Sequence, residues 1–380
     1  MTHHQHYHSC RDEVHLQSSR TLQELIQQPD TDPGHMAELV RQMVPVGAGA
    51  YGGVYRVTCD LFHKMELDWL PAFVVPPSYM AIKFMPLYVY NRPTNATDAS
   101  HEIATARTVR NQLLRKNISP YSTYVFETVV KFPAEKARRF VPHNVGLENH
   151  VVGMCMPYHS QSLQNWQPTQ YRDLVLVLMQ LLLDIRAKSV YLGMESRDVR
   201  PVNILFADAP RNALFRHVVG GNRTLYLNTN EFNGGRYLVC IDYSLAMLAQ
   251  DSSQTLGTDK PVTLYARDAQ TDNEAERVVN LIGGDVELGR NNGWRDLMWL
   301  RYIVEQMLDE NRDKCLLRTC PMTDDERADL HHFRSTISSC LCDGRCDVER
   351  VDTLLVDHYL FDTFRCPPIG LQYQTFDFLQ

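Results

Sequence analysis

With 380 residues, 22% charged side chains and a net charge of −7, the chain can bury a large core as one two-lobed domain or two small ones, and it lacks the basic excess of a nucleic-acid binder. Its most apolar segment, Leu174 to Ile185, is interrupted by Gln180 and Asp184 and falls short of the roughly 18 apolar residues a membrane span needs. The start, Met1-Thr2-His3-His4-Gln5-His6-Tyr7-His8, has no apolar signal-peptide core, so the ten cysteines are expected as reduced thiols in cytosol or nucleus and the sequons at Asn95, Asn117 and Asn222 carry no weight.

Residues 1–35 are rich in His, Gln, Ser and Asp and read as a flexible N-terminal arm with one short helix, Thr21 to Gln28, before the turn-rich Pro29-Asp30-Thr31-Asp32-Pro33-Gly34. The histidines at 3, 4, 6 and 8 offer metal ligands without fixed geometry, and a solvated tail is the simpler reading. Gly47, Gly49, Gly52 and Val54 then set a G-x-G-x-x-G-x-V pattern between two β-prone runs, which predicts a hairpin whose backbone N–H groups can approach phosphate oxygens. A dinucleotide-binding turn would need a helix next, whereas Val54-Tyr55-Arg56-Val57 favours a strand, and no G-x-x-x-x-G-K-[ST] loop is present.

Met80-Ala81-Ile82-Lys83-Phe84-Met85 places a lysine inside an apolar strand. Burying it is costly unless it is paired, and Glu102, in the helix-like run Ser100 to Arg107 with Ser100 as its cap, is the expected partner. Two more strand-like runs follow, Tyr124 to Val130 and Val151 to Met156, the second leading into Pro157-Tyr158-His159. Tyr171 to Ser189 is apolar nearly all round and is predicted as a buried helix.

The densest chemistry lies in Glu195-Ser196-Arg197-Asp198-Val199-Arg200-Pro201-Val202-Asn203, followed after an apolar run by Asp242-Tyr243-Ser244-Leu245. An Asp, an Asn five residues on and a second Asp supply what phosphoryl transfer needs: a carboxylate beside the attacking hydroxyl and oxygen ligands for Mg²⁺. Residues 207–236 form a Gly/Asn-rich excursion, read as an extended hairpin insert. Leu256-Gly257-Thr258 is similar to part of an activation segment, but no Ala-Pro-Glu closes it. Helices are predicted at Trp294 to Leu308, Asp325 to Cys340 and Asp347 to Leu360; in the first, Asp296 either braces the catalytic-loop backbone or is a surface carboxylate. Cys315, Cys320, Cys340, Cys342 and Cys346 with His331 and His332 invite a zinc reading, but their spacing is not that of a C-x-x-C pair and core thiols are simpler.

Taken together, the glycine hairpin, Ala81-Ile82-Lys83, Glu102, Arg197-Asp198 with Asn203, and Asp242-Tyr243-Ser244 follow one another as they do in protein kinases, and from residue 44 to about 361 the chain resembles that superfamily. Asp242-Tyr243-Ser244-Leu245 in place of Asp-Phe-Gly, Ser196 in place of His, the long insert and the eroded activation segment resemble the conserved herpesvirus protein kinases. The resemblance implies an α+β, bilobal fold with a β-rich N-lobe and a mainly helical C-lobe: N-lobe and hinge at 36–159, C-lobe at 160–365 with the insert at 207–236, and a C-terminal tail at 366–380.

It further implies an ATP- and Mg²⁺-dependent Ser/Thr kinase that also phosphorylates itself. Such kinases belong to the virion tegument and the host nucleus and act on viral and host nuclear proteins; neither direct nucleic-acid binding nor membrane association is implied. By resemblance Asp198 accepts or orients the substrate hydroxyl proton, Asn203 and Asp242 ligate Mg²⁺, and Lys83, held by Glu102, binds the α/β-phosphates. Backbone around Gly47, Gly49 and Gly52 covers the β/γ-phosphates, while Val54, Ala81, Met156, Tyr158 and His159 surround the adenine. Arg200 stands where Ser/Thr kinases usually carry Lys and still offers a cation to the transferring phosphate, with different geometry. Arg197 is placed to pair with an activation-segment phosphate, and Ser244 in place of Gly predicts a stiffer Asp242. Two other functions compete: a pseudokinase scaffold, suggested by Ser196, Ser244 and the missing Ala-Pro-Glu, and a kinase-like phosphotransferase for a small molecule.

Overall fold

Short runs of β-branched and aromatic residues build a sheet in the first half of the chain, and longer apolar periodic segments build helices later, giving a mixed α+β protein. The computed structural model describes residues 20–48, 52–59, 69–87, 99–126, 129–140, 150–196, 198–219, 223–243, 246–248, 294–308, 320–342, 348–368 and 372–379. Chain packing divides it into two units: Met1–Pro71, Val75–Asn111 and Thr123–Tyr158 in the first, and Ala72–Val74, Gln112–Ser122 and His159–Gln380 in the second.

In the first unit a helical stretch at 20–27 (α1) precedes α2, Pro33–Gln42. Asp32 starts α2 by accepting Gly34 N at 2.9 Å and His35 N at 3.0 Å, with Pro33 in the first turn where its missing N–H costs nothing. The sheet comprises β1 (Val44–Ala48), β2 (Gly53–Thr58), β3 (Tyr79–Pro86), β4 (Val129–Pro133) and β5 (His150–Pro157), ordered β1-β2-β3-β5-β4 and antiparallel throughout. Helix α3, Ala99–Val109, continues into a π turn at Arg110–Leu114. Ser100 lies inside α3 instead of capping it, because the helix already includes Ala99.

Two expectations are corrected here. The predicted strand at Tyr124 to Val130 begins only at Val129, because the preceding residues pair elsewhere: Phe126 N donates to Cys155 O at 2.9 Å, and Tyr121 O accepts Cys240 N at 2.8 Å. The flexible arm at 1–35 is docked from residue 20 onward, while 1–19, with the histidine cluster, lie outside the described residues. Strand β4 is a sheet edge, a row of carbonyls and amides that a protein must cover. Residues 26–31 cover it: Thr31 N donates to Lys131 O at 2.9 Å, Lys131 N to Thr31 Oγ1 at 3.0 Å, and Lys131 Nζ to Ile26 O at 3.0 Å and Gln28 O at 2.8 Å. Glu24 of α1 adds an ion pair to Arg107 of α3 at 3.0 Å. Lys131→Ala strands the carbonyls of Ile26 and Gln28, so it is expected to cost about 1–3 kcal/mol, read as a lower urea midpoint.

In the second unit α5, Tyr171–Leu192, is buried along nearly its whole length (a short α4, Ala134–Ala137, belongs to the first unit). Asp173 in its first turn accepts Thr169 N and Oγ1 at 3.1 Å each, and Gly193 ends it with φ 57°, a left-handed conformation that glycine adopts without strain. Strand β6 (Met194–Glu195) pairs with β11 (Met247–Leu248), and β7 (Ile204–Asp208) with β10 (Arg236–Cys240). The predicted insert does contain a hairpin, β8 (Ala213–Val219) and β9 (Arg223–Asn228), but the tail is not separate from it. Residues Gln374–Leu379 form β12, which runs parallel to β8 and completes a three-stranded sheet. Phe73 packs on this sheet, its ring 5.0 Å from Phe378 and 6.1 Å from Phe215. Helices α6 (Trp294–Leu308), α7 (Asp324–Cys342) and α8 (Val348–Asp357) follow, and His358 caps a 3₁₀ turn at Tyr359–Phe364. Among the described residues no helix is long and apolar enough to cross a membrane, and no group of three or more His, Cys, Asp or Glu side chains is arranged to hold a metal.

Candidate active site

In the first unit the β2–β3–β5 register decides which side chains share a face. Val54 lies opposite Lys83 and Lys83 opposite Met154; Arg56 lies opposite Ala81 and Ala81 opposite Met156. Cross-strand partners point to the same side and so do alternate residues, so Val54, Ala81, Lys83 and Met156 line one face. Lys83 Nζ meets Glu102 Oε1 of α3 at 2.7 Å, with the two side chains only 12% and 3% exposed. That pairing is what an inward lysine in an apolar strand demands.

Gly52 is required by close approach, since a Cβ there would fall 1.5 Å from Phe84 O. Gly47 lies opposite Val54, and the space beside it is open for 4 Å. Gly49 lies outside the described residues. Tyr158 N donates to Tyr79 O at 3.0 Å, and its ring sits beneath the Arg56 guanidinium, 5.5 Å from the centroid. His159 begins the second unit; burial pushes its imidazole down to about 4 against the opposing pull of Asp208.

In the second unit Asp198 is buried at the centre of a hydrogen-bonded loop. Arg200 grips it in a fork, Nε on Oδ1 and Nη2 on Oδ2 at 2.8 Å. Asn203 Nδ2 donates to Asp198 Oδ2 at 2.8 Å and to Asp198 O at 3.1 Å. Arg200, the residue expected to face a transferring phosphate, is in this structure held on the Asp198 carboxylate. Burial raises the Asp198 carboxyl; Arg200 opposes that, the nearby charge of Asp242 adds to it, and the net direction is up.

Asp242 is positioned by two features. Ile241 N donates to Asn203 O at 2.9 Å, tying the two segments, and Asp242 itself has φ 67°, a left-handed backbone uncommon for a residue with a Cβ. From α6, Asp296 is fully buried and accepts Ser196 N at 2.8 Å, so the bracing alternative holds over the surface one. Ser196 Oγ is buried without a hydrogen-bond partner among the described residues. Arg197 and Ser244, with the roles expected of them, lie outside the described residues.

Side chains on α5 went unnoticed in the sequence except as interruptions of an apolar run. Gln180 Oε1 accepts Leu238 N at 2.9 Å, and Asp184 accepts Ser122 Oγ at 3.0 Å and Lys188 Nζ at 2.6 Å. Their spacing of four residues was the available signal: one polar stripe on a buried helix. No protein-family model and no curated protein sequence matches this chain.

Proposed function

We propose that the chain is an ATP- and Mg²⁺-dependent protein kinase of bilobal kinase fold, transferring the γ-phosphate of ATP to serine or threonine hydroxyls of proteins. One observation carries this reading: Asn203, hydrogen-bonded to the Asp198 carboxylate at 2.8 Å, also accepts Ile241 N through its backbone carbonyl at 2.9 Å, which holds Asp242, from a distant stretch of sequence, at the same loop. The Asp242-Tyr243-Ser244-Leu245 resemblance adds a viral origin of the herpesvirus type, with viral and host nuclear proteins as substrates in the host nucleus and virion tegument.

The residues fit a hard cation. Asn203 spends its amide N–H on Asp198, which turns its Oδ1 away from that carboxylate, and Asp242 is a second oxygen donor. Mg²⁺ held there would offset charge on the phosphates. In the transfer, the acceptor oxygen forms a bond to the γ-phosphorus as the bond to the β,γ-bridging oxygen breaks; ADP leaves and the hydroxyl proton passes to Asp198. Burial favours this, since it raises the proton affinity of Asp198, and Arg200 keeps the carboxylate oriented. Lys83, fixed by Glu102, is the cation offered to the α/β-phosphates.

The test is purified protein with labelled ATP and Mg²⁺, wild type beside Asp198→Asn, using a generic acceptor protein. Label on serine or threonine from wild type and none from the variant is expected. Nucleotide binding without label from either form identifies a scaffold, and label found only on an added nucleoside or aminoglycoside identifies a small-molecule phosphotransferase.

A further inference from the structure

The charged residues on α5 are otherwise out of place. A buried ion pair gains little over apolar packing of the same volume, yet Asp184 and Lys188 are almost wholly buried, in a helix whose buried residues are mostly apolar. What they face explains their presence. Asp184 accepts Ser122 Oγ at 3.0 Å and Lys188 Nζ at 2.6 Å. The Lys188 ammonium lies 5.5 Å from the Tyr243 ring centroid, and the Tyr243 phenol donates to Cys240 O at 3.4 Å. The network thus runs from Lys188 and Tyr243 to the Cys240 carbonyl on one side, and on the other from Asp184 to Ser122, whose neighbour Tyr121 holds Cys240 N through its carbonyl at 2.8 Å. Four residues up the helix, Gln180 holds the backbone of β10 at Leu238.

Cys240 and Tyr243 stand on either side of Asp242, the proposed Mg²⁺ ligand with the left-handed backbone. A satisfied polar network has one low-energy arrangement, because any slip leaves a buried donor or acceptor unmatched, whereas an apolar contact tolerates several. We propose that Gln180, Asp184 and Lys188 are positioning residues that clamp both flanks of Asp242 and so set the affinity of the site for Mg²⁺. This rests on the kinase reading for the identity of the cation, and it assigns to α5 a role beyond filling the core. None of the three side chains touches substrate in the proposed transfer.

The experiment compares wild type, Tyr243→Phe and the charge-free Asp184→Leu/Lys188→Met variant. All are checked for wild-type far-ultraviolet circular dichroism, then titrated with Mg²⁺ at a fixed concentration of fluorescent ATP analogue and, separately, in the transfer assay. Loss of supporting side chains behind a metal ligand typically costs about 10–100-fold in metal affinity. The double variant is expected to need about tenfold more Mg²⁺ for nucleotide binding, with transfer at saturating Mg²⁺ largely recovered and the KM for acceptor protein unchanged. Tyr243→Phe, which keeps the ring over Lys188 and loses only the phenol, is expected to move in the same direction by less. Folded variants with the wild-type Mg²⁺ requirement overturn the proposal. A wild type that binds nucleotide with Mg²⁺ but transfers nothing overturns the kinase reading instead, and the binding titration still decides the positioning role. Wild-type protein that shows no Mg²⁺-dependent nucleotide binding overturns both.

Discussion

Lys83→Met is expected to lower phosphate transfer by about two to three orders of magnitude, the loss typical of removing one preorganised group that stabilises transition-state charge. The argument is geometric before it is electrostatic. Lys83 lies on the same sheet face as Val54, Ala81 and Met156, and its ammonium is fixed at 2.7 Å from Glu102. A fixed cation costs no reorganisation when phosphate charge shifts, and methionine fills the same volume without the charge. The neighbouring substitutions should grade accordingly. Glu102→Gln keeps the cation but loosens its anchor, so its effect is expected to be smaller. Lys83→Arg keeps the charge but prefers a two-pronged grip on Glu102, and it is expected to fall nearer to Met than to wild type. Initial rates at saturating acceptor, with circular dichroism as a folding control, measure the series. Transfer by Lys83→Met at the wild-type rate would show that another lysine faces the nucleotide.

The pair at Lys83 was legible because a lysine in an apolar strand states its own need for a partner. The same signal stood at Val129-Val130-Lys131-Phe132 and has a different answer, since Lys131 is satisfied by the carbonyls of Ile26 and Gln28. Carbonyls have no residue signature, and so the docking of the N-terminal segment could not be read from composition. Asp296 lies 100 residues from the Ser196 amide it supports, again a side chain on backbone, which is why sequence left two alternatives. The C-terminal strand did leave a mark: Phe376 and Phe378 alternate with Thr375 and Asp377, a period of two that fits a half-buried strand. Gln180 and Asp184 were equally visible as interruptions, with Lys188 four residues further on. Polar residues four apart on a buried helix must each find a buried partner, a demand that an interruption of hydrophobicity does not state.

Removing one member of the Asp184–Lys188 pair should be far more damaging than removing both. Lys188→Met leaves a buried carboxylate with the neutral hydroxyl of Ser122 as its donor, and the expected loss is about 3–5 kcal/mol of folding stability. Asp184→Leu is expected to be the worse single change, because it leaves a buried ammonium with the face of Tyr243 in place of a carboxylate. At present burial works against the Lys188 charge, and Asp184 more than offsets it, holding the ammonium above its ordinary range. The double variant removes both charges and with them both desolvation costs, so it should return to within about 1–2 kcal/mol of wild type. Denaturant unfolding midpoints, converted with a common slope, measure the order Asp184→Leu below Lys188→Met below the double variant. Additive losses in the double variant would mean that the two charges are not coupled. Coupling of the expected size means instead that the pair adds little net stability, and that a folded protein without it exposes whatever it does for Asp242.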